Sequence, residues 1–333
     1  MRVTVLGAGF MGSAMAHVAA SCGHDVRLWG TWLDDALIEA VEQKQDHPRL
    51  KMKLEPRIVP LRSGELARAL EGAELVIHGV SSEGAVPVMS KAAGHLPDVP
   101  VLSVSKGFLK AASGRMDRID KVVAETVGRP VRFVHAAGPA KAFEIARGVL
   151  TLMCFAGAPA DARFCKAAMS APHMRIDVSD DIAGAEICSA MKNAYATGLG
   201  LFDGLYGADC HNARAASFSQ GILEMAKLAL AGGGRAETVH GAPGVGDLHV
   251  TAAAGRNRAF GEGVGKGKPA KQVAAEMLAA GNLTEGYPAI ATAWKWAAEN
   301  GVTDLPLLAA LHAIIWEDAP VGPTLAKLQL TVG

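Results

Sequence analysis

The chain has no surplus of charge: 33 Lys and Arg balance 33 Asp and Glu. No long-range field therefore draws in nucleic acid or an anionic membrane, and any anion has to be gathered by local cations. Cysteine is scarce. Cys22, Cys154, Cys165, Cys188 and Cys210 are odd in number and contain no C-x-x-C pair. That argues against a disulfide framework and for free thiols in a reducing compartment. The eleven histidines are scattered without H-E-x-x-H spacing, so no metal is expected, and no Ser/His/Asp nucleophile arrangement stands out. No apolar run approaches the roughly 18–20 residues of a membrane span. Arg2–Leu6 already reads as a strand, with no basic segment and cleavage site ahead of it. A secretory signal is not expected, and the expectation is a cytoplasmic protein with no stable membrane insertion.

What is present is enough chain for about two domains. Short apolar runs alternate with helical patterns in the first half. Strands are expected at Arg2–Leu6, Asp25–Trp29, Arg57–Leu61, Glu74–Gly79, Val101–Val104 and Val131–Ala136, and helices at Met11–Ser21, Leu33–Lys44 and Arg115–Val127. This alternation implies an α/β fold with an N-terminal Rossmann-like parallel sheet covered by crossover helices. Gly148–Phe155 and Met174–Val178 still read as strands. From about Asp180, long Ala- and Leu-rich patterns are separated by Gly-rich joints, notably Gly198–Gly207 and Gly232–Gly234. The expected division is residues 1–180 as a dinucleotide-binding domain and 181–333 as an all-helical substrate-binding domain.

Gly7-Ala8-Gly9-Phe10-Met11-Gly12 follows the first strand and opens the first helix. Gly7 permits a tight turn, Gly9 lets the backbone approach a pyrophosphate, and Gly12 allows close helix–strand packing. The anion then rests on free N–H groups at the positive helix end. In this context Gly7, Gly9, Phe10, Met11 and Gly12 read as a cofactor loop rather than a structural turn. An acid at the end of the second strand would bond a ribose 2′-OH and favour NAD. The strand instead ends Leu28-Trp29-Gly30-Thr31, and Asp34 and Asp35 come later. A Thr31 hydroxyl free to bond a 2′-phosphate tilts the reading toward NADP and leaves NAD open; Thr31 also suits a simple turn.

Several polar residues stand out downstream, each with a plainer reading beside the functional one. Lys106 follows a strand, where open α/β sheets bind ligands, but a solvated lysine explains it too. Gly138-Pro139 suits a strand-to-helix turn. Lys192-Asn193 lies on an apolar helix, where a charge has to be paired, snorkelling or functional. Asp247 follows Gly244-Val245-Gly246 and is equally a helix cap. Arg256-Asn257 offers a guanidinium fork suited to phosphate, or a surface patch.

Taken in order, these motifs resemble NAD(P)-dependent glycerol-3-phosphate dehydrogenase over nearly the whole chain. The resemblance rests on Gly7–Gly12, Ser103–Phe108 (S-x-x-K-G-F), Gly138–Glu144, Gly184–Glu186, Lys192-Asn193, Gly207–Asn212, Gly244–Leu248, Thr251, Arg256-Asn257 and Glu285-Gly286. It implies Lys192 as the proton donor and acceptor, with Lys106 and Asp247 completing the catalytic set. It implies Lys106, Gly138, Lys192, Asn193, Asp247, Thr251, Arg256 and Asn257 around the substrate. Thr31, Lys106, Ala142, Arg256 and Glu285 would join the glycine loop around NAD or NADP. It also implies a Rossmann domain followed by a helical domain, a homodimer, and a role in supplying glycerolipid precursors. Ala140 stands where a hydroxyl residue is common and Gly255 where a serine often precedes Arg-Asn. The segment His47–Pro60 is nearer archaeal members.

The implied chemistry suits these residue types. Reduction of dihydroxyacetone phosphate needs a proton and positive charge at the developing alkoxide, which a lysine supplies. In reverse, a lysine has to act as a base, which a second cation and partial burial would favour. The rival readings are a two-domain dehydrogenase of the β-hydroxyacid or ketopantoate type, and a non-catalytic nicotinamide-binding sensor. Arg256-Asn257 and the second lysine argue against the first; retention of Lys192, Lys106 and Asp247 argues against the second.

Overall fold

The computed structural model of the chain describes residues 1–253 and 255–328. The chain begins β1 (Arg2–Leu6), α1 (Phe10–Ser21), β2 (Asp25–Trp29), α2 (Asp35–Glu42), β3 (Val59–Leu61), α3 (Leu66–Leu70), β4 (Leu75–His78), α4 (Ser82–Ala92) and β5 (Val101–Ser103). It continues β6 (Phe108–Lys110), β7 (Met116–Arg118), α5 (Ile119–Val127), β8 (Phe133–Ala137), α6 (Ala142–Ala146), β9 (Thr151–Gly157), α7 (Pro159–Ala168) and β10 (Met174–Ser179). The remainder is helical: α8 (Ile182–Tyr206), α9 (His211–Ala231), α10 (Ala236–His240), α11 (Asp247–Ala253), α12 (Arg256–Gly265), α13 (Ala270–Ala279), α14 (Gly286–Glu299), α15 (Pro306–Trp316) and α16 (Val321–Ala326).

The chain divides into two units, 1–106 with 118–182, and 107–117 with 183–333. The first holds an eight-stranded sheet in the order β10-β9-β8-β5-β4-β1-β2-β3. Its strands pair in parallel except β8 with β9, which are antiparallel. The apolar strands Val3, Val5, Leu75, Ile77, Leu102 and Val134 are buried beneath α1 and its neighbours, as a sheet covered on both faces requires. Order reverses at β1, with β2 on one side and β4 on the other. This is the switch point where the crossover loops of an open parallel sheet leave room for a ligand.

Two sequence expectations change here. The Arg115–Val127 helix begins only at Ile119, because Met116–Arg118 pairs with Phe108–Lys110 as a hairpin. That hairpin clusters with the second unit, so this unit is helical with one added two-stranded sheet. Its attachment is long-range. Phe108 stacks on Trp296 at 4.9 Å, the Met116 N–H donates to the Glu299 carboxylate at 2.7 Å, and the Lys295 ammonium donates to the Gly114 carbonyl at 3.1 Å.

Of the expected joint at Gly198–Gly207, residues 198–206 are instead the continuous end of α8, and Gly207, at φ +87°, follows it. Glycine normally weakens a helix by about 1 kcal/mol relative to alanine. Here a Cβ at Gly200 would collide with the Arg258 carbonyl, and one at Gly261 with the Thr197 carbonyl. The glycines therefore let α8 and α12 pack backbone to backbone. A buried acid in this unit is also structural. Glu224 accepts from the Tyr195 hydroxyl (3.0 Å), Gln220 (2.9 Å) and the Leu307 and Leu308 N–H groups (2.6 and 2.9 Å). It thus satisfies the free donors that open α15. Burial pushes its carboxyl above the ordinary range, and these donors oppose that push.

Candidate active site

In the first unit the glycine loop leaves β1 with Gly7 at φ +104°, a conformation that disfavours any side chain. A Cβ at Gly12 would collide with the Gly7 carbonyl, whereas one at Gly9 would meet only an Arg49 nitrogen, at 3.7 Å. Gly9 is the N-cap of α1 and no side chain caps it. The loop thus presents an open face at Gly9, helix-start N–H groups without intrahelical partners and a guanidinium close by. That donor set fits the pyrophosphate of a dinucleotide. Phe10 is exposed and Met11 half-buried.

The sequence shows no acid at the end of β2, but the fold returns one. Asp34 Oδ2 accepts from the Ala8 N–H (3.2 Å), the Thr31 N–H (2.9 Å) and the Thr31 hydroxyl (2.8 Å). The turn needs Gly30, where a Cβ would collide with the Ile38 side chain. The Thr31 hydroxyl, expected to be free for a 2′-phosphate, is buried, donates to Asp34 and accepts from the Leu33 N–H at 3.3 Å.

The segment after α2 supplies two residues that motif reading passed over. His47 is fully buried against the loop. Its Nδ1 accepts the Leu50 N–H at 3.2 Å, so Nε2 carries the proton and faces the Ala8 carbonyl and Ser13 hydroxyl, each at 3.1 Å. Burial lowers its basicity and keeps it neutral. This pin holds Arg49 at the rim, with its guanidinium 5.7 Å from the Phe10 ring centre. Among the described residues Arg49 makes no hydrogen bond or ion pair. The only signal for it was the unusual sequence of this segment.

At the end of β5, His78, Ser103 and Ser105 form a buried cluster. His78 Nδ1 lies 3.0 and 3.3 Å from the two serine hydroxyls, and the Ser105 hydroxyl donates to the Val80 carbonyl at 2.7 Å. The imidazole is pushed down to about 4 by burial. The cluster fixes the backbone just ahead of Lys106, which is half-buried. Gly138 follows β8 at φ +112°, where a Cβ would press on the Leu152 carbonyl at 3.0 Å. Ala142 is buried at the start of α6.

The second unit gathers the remaining expected residues. The Lys192 ammonium lies 2.6 Å from Asp247 Oδ1; its side chain is 11% exposed and that of Asp247 is 0% exposed. Asp247 opens α11 after a π-helical turn, Ala242–Gly246. This wide turn is a local irregularity of the kind found at functional sites. The Thr251 hydroxyl donates to the Asp247 carbonyl at 2.7 Å. Beside them a polar chain closes. Asn193 donates to Glu285 (3.0 Å), Asn257 donates to Asn193 (2.9 Å), and the Gly286 N–H donates to Asn257 (2.8 Å). Gly286 is needed there because a Cβ would collide with the Thr197 hydroxyl. Arg256 is the exposed first residue of α12 and, among the described residues, makes no hydrogen bond or ion pair. Lys192, Asp247 and Thr251 thus form one group and Asn193, Asn257 and Glu285 a second, the two meeting where Lys192 and Asn193 are neighbours on α8, and Arg256 precedes Asn257 at the start of α12.

Among the described residues no cluster of three or more His, Cys, Asp or Glu side chains is arranged to hold a metal ion. No helix among them is long and apolar enough to cross a membrane.

Comparisons with known proteins identify the family. The family model for the N-terminus of NAD-dependent glycerol-3-phosphate dehydrogenase matches residues 2–162, and that for its C-terminus matches residues 181–326. The NADP(+)-dependent glycerol-3-phosphate dehydrogenase of Archaeoglobus fulgidus is 32% identical, over 98% of this chain and 99% of the relative. The glycerol-3-phosphate dehydrogenase [NAD(P)+] of Thermus thermophilus is 36% identical, over 95% of this chain and 94% of its own. The crystal structure of glycerol-3-phosphate dehydrogenase from Coxiella burnetii superposes with a TM-score of 0.86, at 27% identity and 98% coverage of both chains. With both halves matched in order and relatives aligned end to end, the chain belongs to the NAD-dependent glycerol-3-phosphate dehydrogenase family.

Proposed function

We propose that this chain catalyses the reversible NAD(P)-dependent reduction of dihydroxyacetone phosphate to sn-glycerol 3-phosphate. The observation that carries the reading is the buried Lys192–Asp247 pair at 2.6 Å, on the helix that also carries Asn193 of the Asn193–Asn257–Glu285 group. A buried charge this constrained costs desolvation, which a catalytic role accounts for. In this reading a bound nicotinamide supplies the hydride. Lys192 delivers the proton to the substrate oxygen and holds positive charge there as the alkoxide forms. Asp247 keeps the ammonium in place. Arg256 grips the phosphate with two parallel charge-assisted bonds. Asn193, Asn257 and Thr251 shape the remaining polar surface. On the cofactor side the loop Gly7–Gly12 and Ala142 bound the dinucleotide, and Arg49 adds a cation for its phosphates. The same reading makes the protein a cytoplasmic homodimer that supplies a glycerolipid precursor.

The test is substrate selectivity. With each reduced cofactor, oxidation of the nicotinamide should be fast with dihydroxyacetone phosphate and poor with dihydroxyacetone. Arg256→Lys keeps the charge but loses the fork. It should raise KM and lower kcat for the phosphorylated ketone and leave the other nearly unchanged. Equal loss on both ketones, or no activity on either with wild type, refutes the assignment.

A further inference from the structure

Asp203 has no part in the chemistry above, yet its side chain is only 4% exposed and both of its oxygens are taken by arginines. Arg214 Nη1 donates to Oδ1 at 3.0 Å and Arg258 Nε donates to Oδ2 at 2.5 Å. Arg258 reaches further. Its Nη1 donates to the carbonyls of Ala252 (3.2 Å) and Ala253 (2.9 Å), the last residues of the helix that Asp247 opens. A guanidinium suits that end, where carbonyls lack helical partners and the dipole is negative. One side chain thus joins α8, which carries Lys192, α11, which carries Asp247, and α12, which begins at Arg256. The glycine contacts between α8 and α12 leave the Arg258 backbone little room to shift. Residues i and i+2 of a helix do not share a face, so anchoring Arg258 inward leaves Arg256 exposed.

We propose that Arg258, held by Asp203, is a positioning residue that sets the first turn of α12 and thereby aims Arg256 at the substrate phosphate. This rests on the reading of Arg256 as the phosphate clamp. Asp203 and Arg258 need not touch substrate, and their effect has to pass through Arg256.

The experiment compares Arg258→Lys, Asp203→Asn, Arg256→Ala and the double variant Arg256→Ala/Arg258→Lys, with Arg214→Gln as control. A lysine side chain has a single nitrogen, which cannot stand both where Nε meets the carboxylate and where Nη1 meets the two carbonyls. Arg258→Lys should therefore raise KM for dihydroxyacetone phosphate by about tenfold or more, since small misplacements of a positioning group carry large penalties. KM for the cofactor and turnover of unphosphorylated dihydroxyacetone should stay put. The double variant should be no worse than Arg256→Ala alone. Arg214→Gln removes an equal partner of Asp203 that does not reach α11, so it should lower the melting temperature without moving KM. If Arg258→Lys does not fold, Asp203→Asn, which keeps the shape, should show the same KM pattern. Additive losses in the double variant, or equal losses on both ketones, overturn the proposal. A normal Arg256→Ala effect beside a silent Arg258→Lys defeats the positioning role alone. A silent Arg256→Ala defeats the phosphate reading and this proposal with it.

Discussion

Breaking the Lys192–Asp247 pair should cost stability as well as activity, and the two losses should separate. Removing one partner of a buried ion pair typically costs about 3–5 kcal/mol, because the other charge is left uncompensated. Asp247→Asn keeps the size and an acceptor for the ammonium, whose side chain is 11% exposed, so the loss should lie near the lower figure, about 3 kcal/mol. Lys192→Met strands the more deeply buried member, Asp247, and should approach about 5 kcal/mol. The double variant Lys192→Met/Asp247→Asn removes both charges and should recover much of the sum, giving a clear coupling energy. The assay is urea unfolding followed by tryptophan fluorescence. Trp294, Trp296 and Trp316 lie in the second unit, against Trp29 and Trp32 in the first, so the signal reports chiefly on the unit that holds the pair. Activity gives the other axis. Lys192→Met should lose roughly 10²–10⁴-fold in kcat as a general acid/base is removed, while the cofactor, which the proposed reading rests on the glycine loop, should still titrate. Single variants within about 0.5 kcal/mol of wild type, the range of neutral surface changes, or strictly additive losses would show that the pair is not an energetic unit.

The parts of the fold that could be read from sequence are those set by local chemistry. The run Arg2–Leu6 followed by three spaced glycines has few other solutions, and Lys192 announces itself as a charge on an apolar helix. What escaped depends on contacts distant in sequence. The glycines of Gly198–Gly207 read as a joint because propensity alone disfavours them in a helix. Only the facing carbonyls of α12 explain why α8 runs through them. Residues 107–117 interrupt the first unit in the chain, and nothing local reveals that Phe108 stacks on Trp296. An acid was sought at the end of β2, whereas the Gly30–Asp34 turn returns one to the Ala8 N–H from a few residues further on. Arg49 has no motif at all. It reaches the glycine loop because a buried, neutral histidine two residues earlier is pinned there.

Two further predictions follow from the first unit. His78 is fully buried and its imidazole is pushed down to about 4 from 6.5, so on acidification the unfolded chain takes up its proton before the native one does. Its contribution is therefore intact above pH 6.5 and lost toward pH 4, by up to about 3 kcal/mol. In urea titrations across that window the non-titrating His78→Asn should flatten the acid limb, and an unchanged limb refutes the link. The second prediction concerns the cofactor. Arg49 is exposed and has no ion-pair partner among the described residues, so Arg49→Ala should leave the melting temperature within a degree or two of wild type. A charge-assisted hydrogen bond to a phosphate is worth about 1.5–3 kcal/mol, which corresponds to roughly a 10- to 150-fold rise in cofactor KM. If Arg49 meets the pyrophosphate, KM should rise alike for NADH and NADPH. If it meets the 2′-phosphate, only the NADPH value should rise, and the ratio of kcat/KM for the two cofactors should move toward NADH. The Asp34 carboxylate, already fixed on the Ala8 and Thr31 N–H groups, remains in either case to disfavour an unshielded 2′-phosphate, so removing the arginine should expose that repulsion. If neither KM moves, the guanidinium beside Gly9 is surface chemistry only.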